Sequence, residues 1–210
     1  SFWAKDVQEL FVIDKKASFL KLAELILRQS GEIFEATSLA RPCEISRQTV
    51  TNYLEVLSIS LFAIVVRPYT ANRAGDIISA PKVYGFDTGF VCFSRGWDSL
   101  RPEDRGGLLE HLVLSDLIFQ YGRDKIFYWR NKQKHEVDFI IKPARGKDVH
   151  AIECKSNYKN FDIKNLRAFR KSYPQGKNFL YAANVTAPMS LSISGFDIMA
   201  LPIGTGQQHI

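Results

Sequence analysis

Apolar and polar positions alternate with a period of two over residues 134–142 and again over 148–155. Between them Pro143-Ala144-Arg145-Gly146-Lys147 reads as a turn, so the two stretches predict one β-hairpin. With residues 143 and 148 closing that turn, Asp138 falls opposite Glu153, their side chains ~5 Å apart. Lys155 shares that face, and Val137, Phe139, Ile141, Ile152 and Cys154 sort to the other. Upstream, residues 106–119 carry apolar positions at helical spacing and Lys125 to Arg130 reads as a strand. Downstream, Phe161 to Tyr173 has helical periodicity with Asp162 as N-cap, and 178–183 reads as a buried strand. The predicted order is α-β-β-β-α-β.

The first ninety-five residues carry a different pattern. Ala17 to Gln29 predicts an amphipathic helix closed by Gly31, and Phe34 to Ala40 a short second one. Ser46 is a good N-cap for a third helix through Ser58, with Val50, Tyr53, Leu54 and Leu57 as its buried stripe. Phe62 to Arg67 and Ser79 to Phe86 predict two strands. Three helices and a β-wing make a winged helix-turn-helix, whose third helix would enter a major groove. Arg47, Gln48, Thr51 and Asn52 are suited to reading base edges, and Arg67 and Arg73 of the wing to meeting phosphates. Protein interaction is the other use of such a module, and Glu55 on the exposed face opposes phosphate. The expected architecture is α/β (α+β overall), with a winged helix over 1–95 and an αβββαβ domain over 96–210; residues 87–105 are read as the connection.

Two carboxylates ~5 Å apart repel by on the order of 3 kcal/mol at an effective dielectric near 20. A divalent cation is an efficient counter-charge, since Mg²⁺ takes one or two carboxylates and is completed by waters and substrate phosphate oxygens. Lys155 would then orient water or neutralise charge developing on phosphorus. The alternative is structural: by the same register Glu136 faces Lys155, and a cross-strand ion pair would occupy the lysine.

The element order, with Asp138 on the second strand and Glu153-Cys154-Lys155 on the third, resembles the PD-(D/E)xK nuclease superfamily, with Val137 where the motif's name has proline. That resemblance implies a restriction-endonuclease-like fold for the αβββαβ domain over 96–210, Asp138, Glu153 and Lys155 as catalytic residues, Glu110, Asp138 and Glu153 as ligands of Mg²⁺ or Mn²⁺, and DNA as substrate. A second resemblance spans nearly the whole chain. Phe2-Trp3-Ala4-Lys5-Asp6-Val7, Ile45-Ser46-Arg47-Gln48-Thr49-Val50-Thr51-Asn52-Tyr53-Leu54, Ala80-Pro81-Lys82-Val83-Tyr84-Gly85-Phe86-Asp87-Thr88-Gly89, Tyr128-Trp129-Arg130 and the motif itself are similar to the region after the ATPase module in a family of prokaryotic AAA+-type ATPases. It implies an N-terminal ATPase module as partner in the same polypeptide, where any ATP would bind. Glu44 departs from that family, which usually has glycine before Ile-Ser. No Gly-x-x-x-x-Gly-Lys-Ser/Thr loop occurs in these 210 residues, and the chain starts at Ser1 without a methionine, so a fragment of a longer protein is expected.

Charge sharpens the nucleic-acid reading. Residues 1–95 hold 11 Lys and Arg against 10 Asp and Glu, whereas 96–210 hold 17 against 12, so most of the net +6 lies in the nuclease-like half. Arg123, Lys125, Arg130, Lys132, Lys134, Lys142, Arg145 and Lys147 bracket the hairpin, a cluster suited to a polyanion. Of these, Arg130, Lys132 and Lys134 are candidate DNA contacts; Tyr128 and Trp129 are candidate stacking platforms, with a place in the core as the alternative for at least one of them. Cys43, Cys92 and Cys154 form no C-x-x-C, no apolar run approaches the ~20 residues of a membrane span, and no secretory leader opens the chain, a cytoplasmic profile. His111, His135, His150 and His209 are scattered and read as structural. Three expectations of different class follow: a metal-dependent DNA endonuclease, a non-catalytic DNA-binding region serving an attached ATPase, and a protein-interaction or regulatory module on a nuclease scaffold.

Overall fold

Apolar positions at helical spacing decide the first long helix in the computed structural model, which describes residues 13–70, 80–143 and 148–204. Of the residues singled out above, Arg73, Ser79, the turn residues Ala144, Arg145, Gly146 and Lys147, His209, Ser1 and the opening Phe2 to Val7 lie outside these. The molecule has mixed helices and strands and is α/β overall. It divides into two compact units, Ser1–Val65 with Ala80–Ser99, and Val66–Ser79 with Leu100–Ile210.

The first unit contains α1 (Lys16–Arg28), β1 (Glu32–Ile33), α2 (Ala36–Ala40), α3 (Arg47–Ile59), the start of β2 (Ala63–Pro68), β3 (Lys82–Gly85) and α4 (Thr88–Arg95). Ser46 caps α3, its Oγ accepting the Thr49 N–H at 3.1 Å. Val50, Tyr53, Leu54 and Leu57 are all buried, packed with Phe19, Leu22 and Ile26 of α1. Phe19 meets Tyr53 edge-on at 5.2 Å. β1 and β3 pair antiparallel.

Glu44 sits in the left-handed region at φ 56°, where a Cβ costs roughly 1 kcal/mol. The glycine that the resemblance led one to expect there would relieve this. Glu44→Gly should therefore raise stability by about 0.5–1 kcal/mol, read as a higher urea midpoint; an unchanged or lower midpoint would show that the turn carries no strain.

Helix α4 falls where a connection was expected. Asp87 Oδ1 accepts the Phe90 N–H at 3.1 Å, and Gly96 closes the helix with φ 67°. Val91 is buried while Phe90 and Phe93 face solvent, so the apolar residues do not form the inward stripe that periodicity detects.

The second unit contains α5 (Arg105–Tyr121), β4 (Ile126–Arg130), β5 (Glu136–Ile141), β6 (His150–Lys155), α6 (Lys164–Ser172), β7 (Asn178–Ala182), β8 (Met189–Ile193) and β9 (Phe196–Leu201). Its leading elements follow the α-β-β-β-α-β order. Strands β4, β5 and β6 pair antiparallel; β7 lies parallel to β6, β9 parallel to β7, and β8 antiparallel to β9 at the edge. Arg67 and Pro68 pair in parallel with Phe127 and Tyr128, which places Arg67, read as a wing residue, in the second unit.

Helix α6 covers one face of this sheet through Leu166 and Phe169, packed with Trp129, Val137, Ile140 and Ala151. It begins at Lys164 rather than at Phe161, although Asp162 Oδ1 does accept the Lys164 N–H at 2.9 Å. Tyr128 and Trp129 are both fully buried, Trp129 edge-on to Phe169 at 5.3 Å. Neither offers a ring face to a base, because β4 is covered on both sides. Strands β8 and β9 were not read from the sequence.

Candidate active site

The β5–β6 ladder pairs Ile141 with His150, Ile140 with Ala151 and Phe139 with Ile152, the register expected from the turn. Simple alternation does not survive further along. The β4–β5 register shifts between Phe127 and Trp129, a β-bulge that gives β5 one extra residue. Val137 consequently shares a cluster with Ile140 and Trp129, instead of the face of Phe139 and Ile141 expected for it.

Beyond Phe139, Asp138 reaches across with its side chain, and Oδ2 accepts the Cys154 N–H at 2.8 Å. A backbone amide donating to a carboxylate is a charge-assisted bond that fixes the acid in place. Lys155 Nζ lies 3.1 Å from Glu153 Oε2 and 3.9 Å from Asp138 Oδ2. Glu136, the alternative partner for Lys155, is instead 3.7 Å from Arg130. Asp138, Glu153 and Lys155 are thus brought together at one end of the hairpin.

Asp138 is 9% exposed and Glu153 only 3%. Glu153 Oε1 is buried and has no hydrogen-bond partner among the described residues. Burial, reinforced by the Asp138 charge and more distantly by Glu110, pushes the Glu153 carboxyl up to about 8. Lys155 moves the other way from what burial alone would do: the two carboxylates outweigh desolvation and raise its pKa, keeping it an ammonium. A permanently charged lysine is a donor and an electrostatic partner, not a base at neutral pH. The Cys154 thiol is raised well above its ordinary value by burial and is unreactive.

Glu110, on α5, is half-buried and acts on Glu153 and Cys154 through its charge. Among the described residues no group of three His, Cys, Asp or Glu side chains lies close enough to hold a metal ion. The donor set nevertheless fits a magnesium-type cation of few protein ligands, because two carboxylates converge and one oxygen lacks any donor.

The candidate DNA contacts differ in how free their side chains are. Arg47, Gln48, Thr51 and Asn52 are exposed along α3, but Gln48 Nε2 donates to Asn52 Oδ1 at 2.9 Å and Thr51 Oγ1 to the Arg47 carbonyl at 3.2 Å. Arg67 is exposed on β2. Arg130 is held by Glu136, while Lys132 and Lys134 are exposed in the β4–β5 turn, Lys134 at φ 63°. Two site features had no sequence signal. One is the Cys154 amide. The other is the clasp beyond Lys155, where Asn184 Nδ2 donates to Asn157 Oδ1 at 2.9 Å and Asn184 Oδ1 accepts the Tyr158 N–H at 2.9 Å. It ties the ends of β6 and β7 together.

Among the described residues no helix is long and apolar enough to cross a membrane. Residues 1–101 match a family described as Domain of unknown function (DUF8612). Residues 105–202 match Domain of unknown function (DUF4143), a domain found in AAA-type ATPase-associated proteins. Uncharacterized protein Mb2031c of Mycobacterium bovis and Uncharacterized protein Rv2008c of Mycobacterium tuberculosis are each 26% identical over 145 residues, which is 67% of this chain. The aligned part is 33% of either relative, so the chain spans about a third of the length of the curated relatives it matches.

Proposed function

We propose that the second unit is a PD-(D/E)xK-type nuclease domain that hydrolyses DNA phosphodiester bonds with a divalent cation, and that the first unit is a winged helix delivering it to DNA. In the longer protein both would serve an attached AAA+-type ATPase in the cytoplasm. The observation that carries the reading is the buried Glu153 oxygen without a donor, beside Asp138 and Lys155. A fold that needed only an ion pair would have no use for a second buried acid raised to about 8.

In this reading Asp138 and Glu153 hold Mg²⁺ or Mn²⁺, with Glu110 contributing through its charge. When bound, the cation supplies counter-charge to the two acids and a polarised water for attack on phosphorus. The Cys154 amide holds Asp138 in position through the reaction. Lys155, fixed by both acids, offers its ammonium to the phosphoryl oxygens as negative charge develops there. Exposed Lys132 and Lys134 attract the backbone.

Calorimetric titration with Mn²⁺ should give saturable binding that Glu153→Ala abolishes, and supercoiled plasmid should be nicked in Mn²⁺. Asp138→Ala and Lys155→Ala should each cut nicking by about 10²-fold or more. Absence of Mn²⁺ heat in the unaltered protein would remove the hydrolytic reading.

A further inference from the structure

A cleft of about 930 Å³ opens at the other end of the same sheet, between the C-terminal half of α6, the loop leading into β7, and the β8–β9 hairpin. Asn178 pairs with Ala151 at this end of β6 and β7, whereas Lys155 pairs with Ala182 at the end bearing the acids. The cleft does not belong to the candidate active site, and nothing about it rests on the hydrolytic reading.

Its charge is one-sided. Arg167, Lys171 and Lys177 line it and are exposed, Arg170 lines it and is only 7% exposed, and Asp197 is the one acid in the lining. Among the described residues no ion pair involves any of the four cations. The Arg170 guanidinium is held by neutral oxygens: Nη1 donates to the carbonyls of Val149, Tyr173 and Gln175, Nη2 to that of Lys177 and Nε to Asn178 Oδ1. Burial draws its pKa down to about 10 against the opposing charge of Asp148, so it is charged at neutral pH and held by neutral oxygens instead of a direct ion pair. The positive potential reaches His150 beside the cleft, whose pKa is lowered by burial and then by Lys177 and Arg170.

The lining also carries Leu191, Phe196 and the exposed Met199 as an apolar wall, with Ser190 and Ser192 as hydroxyl donors. A cleft of this size is that of a small-molecule site. Three cations in excess over acids match the roughly two negative charges of a phosphomonoester better than the single charge of a carboxylate. The apolar wall asks for a flat, poorly hydrated body on the same ligand.

We propose that this cleft binds a phosphorylated small molecule of the nucleoside monophosphate class, its phosphate among Arg167, Lys171 and Lys177 and its base against Phe196 and Met199. Arg170 shapes the wall and supplies charge from beneath, and is a positioning residue.

Calorimetry on the whole chain in EDTA and at constant ionic strength tests this with AMP, adenosine and inorganic phosphate. AMP should bind saturably at one site, with adenosine and phosphate each weaker by about tenfold or more, because each keeps only part of the contacts. The double charge reversal Lys171→Glu with Lys177→Glu changes two exposed side chains and should leave the circular dichroism spectrum intact while weakening AMP about tenfold or more. Asp138→Asn should leave AMP binding unmoved, which separates this cleft from the acidic site. The proposal is overturned by AMP giving no saturable heat at millimolar concentration, by AMP binding no tighter than phosphate, or by binding that the double reversal does not weaken. AMP binding lost in Asp138→Asn would overturn it as well, placing the nucleotide at the acids.

Discussion

Arg170→Met should lower the unfolding free energy by about 3–5 kcal/mol, seen as a fall in urea midpoint at unchanged m value. One side chain closes the loop between α6 and β7, because its guanidinium gathers the carbonyls of Val149, Tyr173, Gln175 and Lys177 and the Asn178 amide. Methionine fills a similar volume and donates nothing. Several carbonyls then lose a donor together, at about 1 kcal/mol or more each where water cannot reach them. Gly176 makes the loop less able to adapt: at φ 119° its Cα lies so near Val149 that an added Cβ would collide with the Val149 carbonyl. Arg170→Lys should recover little, since an ammonium cannot span five acceptors in a plane. A midpoint shift equivalent to less than about 1 kcal/mol would mean that water replaces the guanidinium.

Glu153→Gln should have the opposite effect and stabilise the protein when no divalent cation is present. The carboxyl is raised from 4.5 to about 8 by burial and by Asp138. Between those values the folded chain holds a proton that the unfolded chain has released, so stability falls as pH rises across that window and is level below it. The carboxamide needs no proton and escapes the loss. Set against the Lys155 pairing that disappears with the charge, the gain at the upper end of the window should be on the order of 2–3 kcal/mol. Thermal melts in EDTA from acid to mildly alkaline pH measure it. The melting temperatures of parent and variant should converge toward pH 4.5 and separate toward pH 8. Parallel curves would show that Glu153 ionises normally and that its burial is relieved by water.

The hairpin that carries the acids was legible because its turn residues and its two-residue alternation fix the same register. Helix α3 was legible for a comparable reason, since a serine cap and four apolar positions at helical spacing agree. Where local signals conflict, the reading failed. Helix α4 has a good cap in Asp87 and a good stop in Gly96, but Phe90 and Phe93 face outward and blur its periodicity. The β8–β9 hairpin was within reach, because Ser194 and Gly195, at φ 50° and 81°, form the two-residue turn and apolar residues alternate on both sides. The bulge in β5 was not: an extra residue in a strand changes no composition and no local propensity, and it moved Val137 to another face. Nor does any sequence pattern reveal that one Glu153 oxygen is buried without a donor, which depends on packing from several elements at once.

The bond between the Cys154 amide and Asp138 separates two inheritances that are usually lost together. An asparagine at position 138 can still accept that amide proton through its side-chain oxygen, so the strands keep their spacing while the negative charge is gone. Under the proposed hydrolytic reading, descendants of such a chain can shed the chemistry by a single exchange of oxygen for nitrogen and retain an undamaged scaffold for recruitment elsewhere.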